Sequence, residues 1–215
     1  NDISKLRASI LSSNIERFGL KNTIVTNCDP LKMKFESFFD KIILDAPCSG
    51  EGMFRKDPAA MDYWDRHYPA SCAQLQKEIL EFAMNMLAPG GQLVYSTCTW
   101  SPEENEEVVA WLLENYNLEL VPIDKINGMV AGIGYPETAR MYPQYFKGEG
   151  QFVAKFRSLA EASNRTVKPG KTNLNKEQSQ LWQDFCKENL HVRLDGLLQV
   201  FGDQLYILPH GLTDL

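Results

Sequence analysis

Apolar residues follow two patterns along the chain: a spacing of three and four that is typical of helices, and short continuous runs that are typical of buried strands. Apolar residues spaced by three and four predict a helix from Ile3 to Phe18, which Gly19 can end, and another helix over 75–87. Short apolar runs bounded by Gly, Pro or Asn predict the strands 23–26, 39–44, 92–95, 118–123 and 151–156. Because strand and helix alternate, we expect an α/β fold with a doubly wound sheet.

Two local motifs predict where helices end and begin. Pro89-Gly90-Gly91 is expected to close the second helix. Ser101-Pro102-Glu103-Glu104 is typical of a capping box with proline at the first helical position, so a third helix should start there. The acidic run between Glu103 and Glu107 is therefore expected to complement the helix dipole and to face solvent, rather than to bind a metal or move protons.

The composition changes after Arg157. The stretch up to Asn175 is rich in Ser, Asn, Thr and Lys and has no apolar period, so we interpret it as a linker. Beyond it, a helix over 180–190 and two short strands around Gly202-Asp203 indicate a small second unit. About forty residues rarely form a core by themselves, which predicts that this second domain is incomplete.

Composition and charge narrow the class of protein. The 215 residues are 44% apolar and 23% charged, no apolar run reaches a membrane-spanning length, and no signal-peptide pattern opens the chain, so we expect a cytoplasmic protein. The five cysteines are widely spaced, include no Cys-x-x-Cys pair and are accompanied by three histidines, which argues against zinc and disulfide frameworks. A net charge of −6 gives no overall basic surface for nucleic acid, although a local basic patch is compatible with it.

Two cysteines follow two predicted strands of the sheet. Cys48 comes after strand 39–44, and Cys98 comes after strand 92–95. Ligands of parallel sheets bind outside the carboxyl ends of the strands, so we expect both thiols to open into one crevice. A free thiol has a pKa of about 8.5 and needs a polar or electropositive setting to react, which a loop at a strand end can provide.

The loop around Cys48 is more specific than an ordinary turn. Pro47 fixes the backbone directly before the cysteine, and Gly50 and Gly52 permit tight turns behind it. A simple strand-to-helix turn would explain the proline and the glycines. It would not explain Asp45, or the second cysteine at the end of another strand.

These motifs resemble those of a known enzyme family. Asp-Ala-Pro-Cys-Ser-Gly-Glu-Gly at 45–52, Tyr-Ser-Thr-Cys-Thr at 95–99 and Ser-Pro-Glu-Glu-Asn-Glu at 101–106 are similar to motifs of the Nop/Sun family of RNA cytosine-C5 methyltransferases. The resemblance is strongest to the bacterial F type, which modifies 16S ribosomal RNA. It runs from Asn1 to about Arg157, and it is fainter in the second unit.

The resemblance implies a role for each of three residues. Cys98 is the implied nucleophile, because thiolate addition at carbon 6 of cytosine makes carbon 5 able to take a methyl group. Asp45 is implied to hold the cytosine edge, and Cys48 to assist the loss of the carbon-5 proton that releases the product. The residues alone leave the ranking of the two thiols open, since DNA cytosine methyltransferases attack with the cysteine of a Pro-Cys loop.

The resemblance further implies S-adenosylmethionine as the cofactor. Asp2 matches the ribose-binding acid of the family, Asp29 matches its adenine-side acid, and Asp45 is expected to face the methionine end. Taken without the resemblance, each aspartate is explained as well by a cap or a turn.

The implied partner is ribosomal RNA or the small ribosomal subunit, bound by a monomer without metal. Arg55 and Lys56 lie in a segment that interleaves aromatic rings with charges, and Arg140 belongs to a similar later group. Such composition suits unpaired bases and phosphates, so these three residues are candidate RNA contacts. A packed lid over the sheet would explain the aromatic residues equally well.

One feature departs from the family pattern. The glycine-rich loop of the family's first strand is absent, and the Gly-x-Gly repeats of this chain do not open helices as a dinucleotide fingerprint would. We therefore expect a Rossmann-like methyltransferase sheet that lacks its first strand, followed by the start of a small α+β domain. The expected parts are an N-terminally incomplete catalytic domain (1–157), a linker (158–175) and the start of an RNA-binding accessory domain (176–215). Such a chain alone should be inactive and bind the cofactor weakly.

Other functions stay open on the sequence alone. Some relatives act on transfer RNA rather than ribosomal RNA. A non-catalytic RNA-binding or ribosome-assembly factor would fit if the cofactor loop is truly absent. A cysteine hydrolase that uses His67 as its base would leave the second strand-end thiol and the aspartates unexplained.

Overall fold

The computed structural model describes residues 1–20, 22–33, 35–62, 64–145, 147–161 and 170–208. The helices of these residues are α1 (Lys5–Phe18), α2 (Tyr68–Met86), α3 (Glu106–Asn115) and α4 (Lys176–Asn189). The strands are β1 (Phe39–Asp45), β2 (Leu87–Thr97), β3 (Leu118–Leu120), β4 (Val130–Ala131), β5 (Ala139–Met141), β6 (Gln151–Ser158), β7 (Leu197–Phe201) and β8 (Gln204–Leu208). The chain divides into two compact units, residues 1–14 with 25–163 and residues 15–24 with 164–215.

The first unit is organised by a sheet in the order β1-β2-β6-β5-β4, with β3 also pairing with β6. β1 and β2 are parallel, whereas β6 is antiparallel to β2, β3 and β5. The expected α/β class is confirmed, although β1 and β2 are the only parallel neighbours among the described strands. In this parallel pair Asp45 of β1 lies opposite Ser96 of β2, so the loops that follow the two strands leave the sheet side by side.

The core packs α2 and α3 against the central strands. Leu93 and Tyr95 of β2 are fully buried, as are Leu80 of α2, Leu112 of α3 and Phe152 of β6. Alternate residues of β2 are buried in this way up to the end of the strand. The loop that carries Cys98 therefore starts from a strand whose alternate side chains are enclosed.

α1 and β1 are less enclosed. α1 ends at Gly19, as predicted, and the φ of 65° at that residue is one that glycine adopts readily. Its expected apolar face is largely open, since Leu6 and Phe18 are each 71% exposed. Among the described strands β1 pairs with β2 alone, and Ile43 on β1 is 78% exposed.

Two predicted boundaries are wrong. Residues 23–26 form no strand, and the segment is held instead by the Asp2 N–H, which donates to the Thr26 carbonyl at 3.1 Å. Pro89-Gly90-Gly91 does not follow α2 as a closing turn but lies within β2, which begins at Leu87. The register between β1 and β2 is interrupted there, and the φ of 72° at Gly90 permits the irregularity.

The predicted capping box is also wrong. α3 starts at Glu106, and Asn105 before it makes no side-chain bond to the helix end. Ser101 Oγ donates instead to the Glu103 carboxylate at 2.6 Å. The reason is that the side chains of Glu104 and Asn105 are engaged by the two cysteine-bearing loops rather than by the first turn of α3.

The second unit contains α4 and the β7-β8 hairpin, which agree with the predicted helix and strand pair. Asn175 and Gln178 form a reciprocal capping box at the start of α4. Gly202, with a φ of 60°, lies at the turn between the strands. No residue of α4 is buried, so this unit encloses little apolar surface in the part that the structure describes. Within the described residues, no helix has the length and apolar character to cross a membrane.

Candidate active site

The two strand-end thiols are in contact. Cys48 follows β1, Cys98 follows β2, and their Sγ atoms lie 3.2 Å apart. Both cysteines are half-buried. The parallel pairing of the two strands thus brings together side chains that are fifty positions apart in the sequence.

The contact makes the two thiols chemically unequal. The hydrogen bond with Cys48 lowers the pKa of the Cys98 thiol, whereas the same bond, together with burial, raises the pKa of Cys48. The Cys98 N–H also donates to Cys48 Sγ at 3.3 Å. This bond lowers the pKa of Cys48, but by less than the other two effects raise it. The lowered pKa of Cys98 and the raised pKa of Cys48 favour ionisation of Cys98 before Cys48, and either sulfur can donate the hydrogen bond that joins them.

Asp45 is an exposed carboxylate beside this pair. Ser96 Oγ donates to it at 3.3 Å across the parallel strands. Its negative charge raises the pKa of Cys98, so the carboxylate and the thiol share one electrostatic environment. The position leaves Asp45 able to accept a hydrogen bond from a ligand that reaches Cys98.

A buried carboxylate connects the two cysteine-bearing loops. Glu104 is fully buried and accepts hydrogen bonds from the Ser49 N–H at 2.9 Å, from Gln76 Nε2 at 2.8 Å and from the Ser49 hydroxyl. Gln76 Nε2 donates in addition to the Pro47 carbonyl at 2.8 Å. Ser49 Oγ lies 2.8 Å from Thr99 Oγ1, which belongs to the other loop.

Asn105 makes the corresponding contacts around Cys98. It is fully buried; its side-chain oxygen accepts from the Thr97 hydroxyl at 2.6 Å, and its amide nitrogen donates to the Thr99 carbonyl at 3.1 Å. The expectation that the acidic run between Glu103 and Glu107 faces solvent is wrong for Glu104 and Glu106, which are buried. A run of acidic residues before an apolar period is typical of a helix start, so the pattern did not predict the contacts of Glu104 and Asn105. The one available signal was an uncharged asparagine in that run, a few residues after the cysteine motif.

Two glycines hold the same loops from another side. The Gly52 N–H donates to the Cys98 carbonyl at 2.9 Å, and the Gly150 N–H donates to the Gly52 carbonyl at 3.0 Å. A Cβ atom on Gly52 would lie 2.5 Å from the Gly150 oxygen and 2.8 Å from the Cys98 oxygen. These Gly-x-Gly repeats, which do not resemble a phosphate-binding fingerprint, thus permit two backbone segments to approach closely.

The two other candidate cofactor acids lie on neighbouring segments near the amino terminus. The Asp2 carboxylate accepts from the Ser4 N–H at 2.8 Å and pairs with Arg7 at 3.1 Å. The Asp29 carboxylate accepts from the Leu31 N–H at 3.1 Å and caps a short turn. Both aspartates thus make the cap contacts that the sequence alone allowed, and both are partly exposed. In the described part of the chain, no three His, Cys, Asp or Glu side chains gather into a group that could hold a metal ion.

The candidate RNA contacts differ in accessibility. Arg55 is exposed and pairs with Glu149 at 3.0 Å, and Lys56 is exposed. Arg140 is buried, with its guanidinium bonded to the Glu106 carboxylate and to the Trp100 carbonyl. An RNA contact through Arg140 would require this buried ion pair to open, so the structure argues against that expectation.

Known proteins resemble this chain along its sequence. The family described as 16S rRNA methyltransferase RsmB/F matches residues 1–157. Ribosomal RNA small subunit methyltransferase F of Shewanella loihica is 34% identical over the whole chain, which covers 47% of that protein. The protein of the same name from Salmonella agona is 41% identical over 74% of the chain, which corresponds to 34% of that protein. The chain thus spans about half the length, or less, of these curated relatives.

Solved structures also resemble this chain over most of its length. NSun6 from Pyrococcus horikoshii with SFG superposes with a TM-score of 0.66 and 33% identity, over 74% of this chain and 41% of that one. A methyltransferase homolog protein from the same organism superposes with a TM-score of 0.59 and 34% identity, over 74% of this chain and 52% of that one. These similarities agree with a Rossmann-like α/β fold.

Proposed function

The chain belongs to the 16S rRNA methyltransferase RsmB/F family, and on that premise we propose that it carries the thiols of an enzyme that methylates carbon 5 of a cytosine in 16S ribosomal RNA. The observation that supports this chemistry best is the 3.2 Å contact between Cys48 and Cys98. Carbon 5 of cytosine reacts with a methyl donor only after a nucleophile has added to the ring, and it must afterwards lose a proton. Two adjacent thiols of unequal pKa can supply both functions.

Cys98 is the proposed nucleophile. Its lowered pKa favours the thiolate that adds to carbon 6, and the addition places the electron pair of the ring double bond on carbon 5. Carbon 5 then takes the methyl group, which S-adenosylmethionine supplies when it is bound. The exposed Asp45 carboxylate is placed to hold the polar edge of the base and to stabilise its protonated form during the attack.

Cys48 is the proposed residue for product release. While Cys98 is a thiolate, Cys48 keeps its proton and donates to it. Once Cys98 is bonded to carbon 6 it no longer carries that charge, and Cys48 then lies beside the adduct. Without the hydrogen bond and charge of the Cys98 thiolate, which raise its pKa, Cys48 can lose its own proton to solvent and as a thiolate take the carbon-5 proton. The electron pair of that C–H bond restores the ring double bond, while the bond between carbon 6 and Cys98 breaks and its electron pair returns to the Cys98 sulfur.

The residues assigned to the cofactor follow the family pattern, and those assigned to RNA follow from charge and exposure. Following the family pattern, we assign Asp2 and Asp29 to the ribose and adenine ends of S-adenosylmethionine and Asp45 to its methionine end. A related protein, NSun6, was solved with SFG. The exposed Arg55 and Lys56 are proposed to bind RNA phosphates, since cationic side chains in reach of solvent favour such contacts.

Substitution of the two cysteines tests the division of roles. In the full-length protein with labelled RNA, Cys98→Ala should abolish turnover and form no covalent product, whereas Cys48→Ala should accumulate an RNA adduct that survives a denaturing gel. An adduct formed by the Cys98→Ala protein instead would reverse the assignment.

The RNA substrate is tested in cells that lack the protein. Bisulfite sequencing of their 16S ribosomal RNA should show one methylcytosine lost. Loss of a transfer RNA methylcytosine instead would change the substrate, and no loss in either RNA would favour a non-catalytic role in ribosome assembly.

A further inference from the structure

The dipeptide Glu104-Asn105 lies between the two cysteine-bearing loops and bonds to both of them. Neither side chain caps α3, the function that the sequence pattern predicts for this segment. We propose that Glu104 and Asn105 are positioning residues that hold the Cys48 and Cys98 thiols in contact. The catalytic meaning of this contact rests on the proposed function, but the contact itself can be tested without it.

Glu104 fixes the Cys48 loop on both sides of the cysteine. Its carboxylate accepts a hydrogen bond from the backbone N–H of Ser49, the residue after Cys48. It also accepts from Gln76 Nε2, which donates in addition to the carbonyl of Pro47, the residue before Cys48. A buried carboxylate is costly unless donors surround it, so these three residues are held together by the need to satisfy one side chain. Displacing the loop would leave the carboxylate unsatisfied.

Asn105 fixes the Cys98 loop in the same manner. Its side-chain oxygen binds the hydroxyl of Thr97 and its amide nitrogen binds the carbonyl of Thr99, which are the two residues that flank Cys98. Each thiol therefore lies between two anchored neighbours.

The dipeptide is itself attached to the core. The hydroxyl oxygen of Tyr95, which is fully buried in β2, lies 2.6 Å from the Glu104 carbonyl and 2.8 Å from Gln76 Oε1, and its single proton is shared between these two acceptors. The hydrogen bonds that position the thiols are thus anchored on the buried strand β2. Movement of either loop would have to break buried hydrogen bonds that cannot be replaced by water.

The conservative variant Glu104→Gln separates a positional role from a role of the negative charge. A glutamine oxygen can accept from the Ser49 N–H and from Gln76, and its amide nitrogen can donate to Ser49 Oγ. Glu104→Gln should therefore keep the thiols in contact, whereas Glu104→Ala should not. If the charge were what mattered, both variants would fail alike.

The measurement is the rate at which diamide joins Cys48 to Cys98 as a disulfide, in a protein whose other cysteines are replaced (Cys28→Ser, Cys72→Ala and Cys186→Ser). The two thiols lose two hydrogens and the reagent takes them up. Because the reaction also depends on the fraction of thiolate, the cross-linking rate is divided by the rate of iodoacetamide alkylation of Cys98 at the same pH, and this ratio reports how closely the sulfurs approach without RNA or cofactor. We expect Glu104→Ala and Asn105→Ala each to slow the reaction about tenfold, and Glu104→Gln to change it less than about threefold. Ser49→Ala, which removes only a hydroxyl, should have an intermediate effect and serves where a larger truncation does not fold.

A matched control is Glu106→Gln, which alters the next buried glutamate along the chain. Glu106 bonds to Arg140, so this change leaves the hydrogen bonds of Glu104 and Asn105 to the two cysteine-bearing loops intact. It should lower the melting temperature but leave the cross-linking rate of the folded protein unchanged. The proposal is overturned if the folded Glu104→Ala, Asn105→Ala and Ser49→Ala proteins all cross-link at the parent rate. Slow cross-linking in these variants alongside an absence of methylation by the full-length parent protein would leave the positioning role standing and reject the proposed function.

Discussion

Two polar clusters of the first unit differ in how firmly they are held. Around the thiols, Glu104 and Asn105 are fully buried and every partner lies within hydrogen-bond distance. Near the amino terminus, Asp2 and Arg7 form an ion pair whose side chains are 24% and 67% exposed. Burial forces polar groups into one arrangement, because unpaired groups are costly there, whereas water can replace an exposed contact. The groups proposed for covalent chemistry are thus preorganised, while those proposed for the cofactor keep access to solvent.

The largest expected effect on stability comes from removing one partner of the buried ion pair between Arg140 and Glu106. Arg140→Ala leaves the Glu106 carboxylate buried without its partner, which should lower the free energy of unfolding by about 3–5 kcal/mol. Arg157→Ala, which removes a pair with Glu119 that is about half exposed, should cost less than about 1 kcal/mol. Urea denaturation of both variants measures the difference. Equal losses would show that burial does not distinguish the two ion pairs.

A smaller loss of stability is expected from adding a side chain at the close contact between Gly52 and Gly150. Gly52→Ala drives a Cβ into the backbone of Gly150 and Cys98 and should cost about 3 kcal/mol. Gly134→Ala is the matched control, because its Cβ meets open space and only the φ of 75° is strained, at a cost of about 1 kcal/mol. Thermal unfolding compares the two. A Gly52→Ala protein no less stable than the Gly134→Ala protein would mean that the close approach is easily relieved.

The reactivity of Cys98 should depend on its neighbour rather than on global stability. In Cys48→Ala the hydrogen bond that lowers the pKa of Cys98 is lost, so the thiolate should form at higher pH and alkylation near neutral pH should slow. The rate of iodoacetamide alkylation of Cys98, followed against pH by mass spectrometry, gives the shift. Cys72→Ala serves as the control, since Cys72 makes no bond to Cys98 in the described structure. A profile displaced to lower pH in Cys48→Ala would contradict the proposed order of ionisation.

The smallest effects are expected in the exposed cluster. Asp2→Ala and Asp29→Ala each remove one cap and should cost about 1 kcal/mol of stability. Asp2→Asn retains an oxygen for the Ser4 N–H and should cost less. Chemical denaturation measures the stability, and calorimetric titration of S-adenosylmethionine into the full-length protein measures whether these carboxylates also bind the cofactor. Unchanged affinity in all three variants would reject that assignment.

The sequence predicted the parts of the site that depend on local pattern. The strands that became β1 and β2, and the cysteines behind them, follow from short apolar runs and from the geometry of parallel sheets. Glu104 could not be placed in this way, because its partners Gln76 and Ser49 lie 28 and 55 positions away. The burial of Arg140 depends equally on Glu106, 34 positions away, so a basic residue expected to meet RNA is part of the core. Local pattern therefore predicts where a reactive side chain emerges but not which distant polar groups hold it.

The open side of β1 has a practical consequence for handling the chain by itself. Among the described strands β1 has a neighbour along one edge only, and its Ile43 is 78% exposed. A free strand edge with an apolar side chain is a template for pairing with a second molecule. We therefore expect this chain, when produced alone, to self-associate as its concentration rises, and a charged substitution such as Ile43→Lys to improve its solubility.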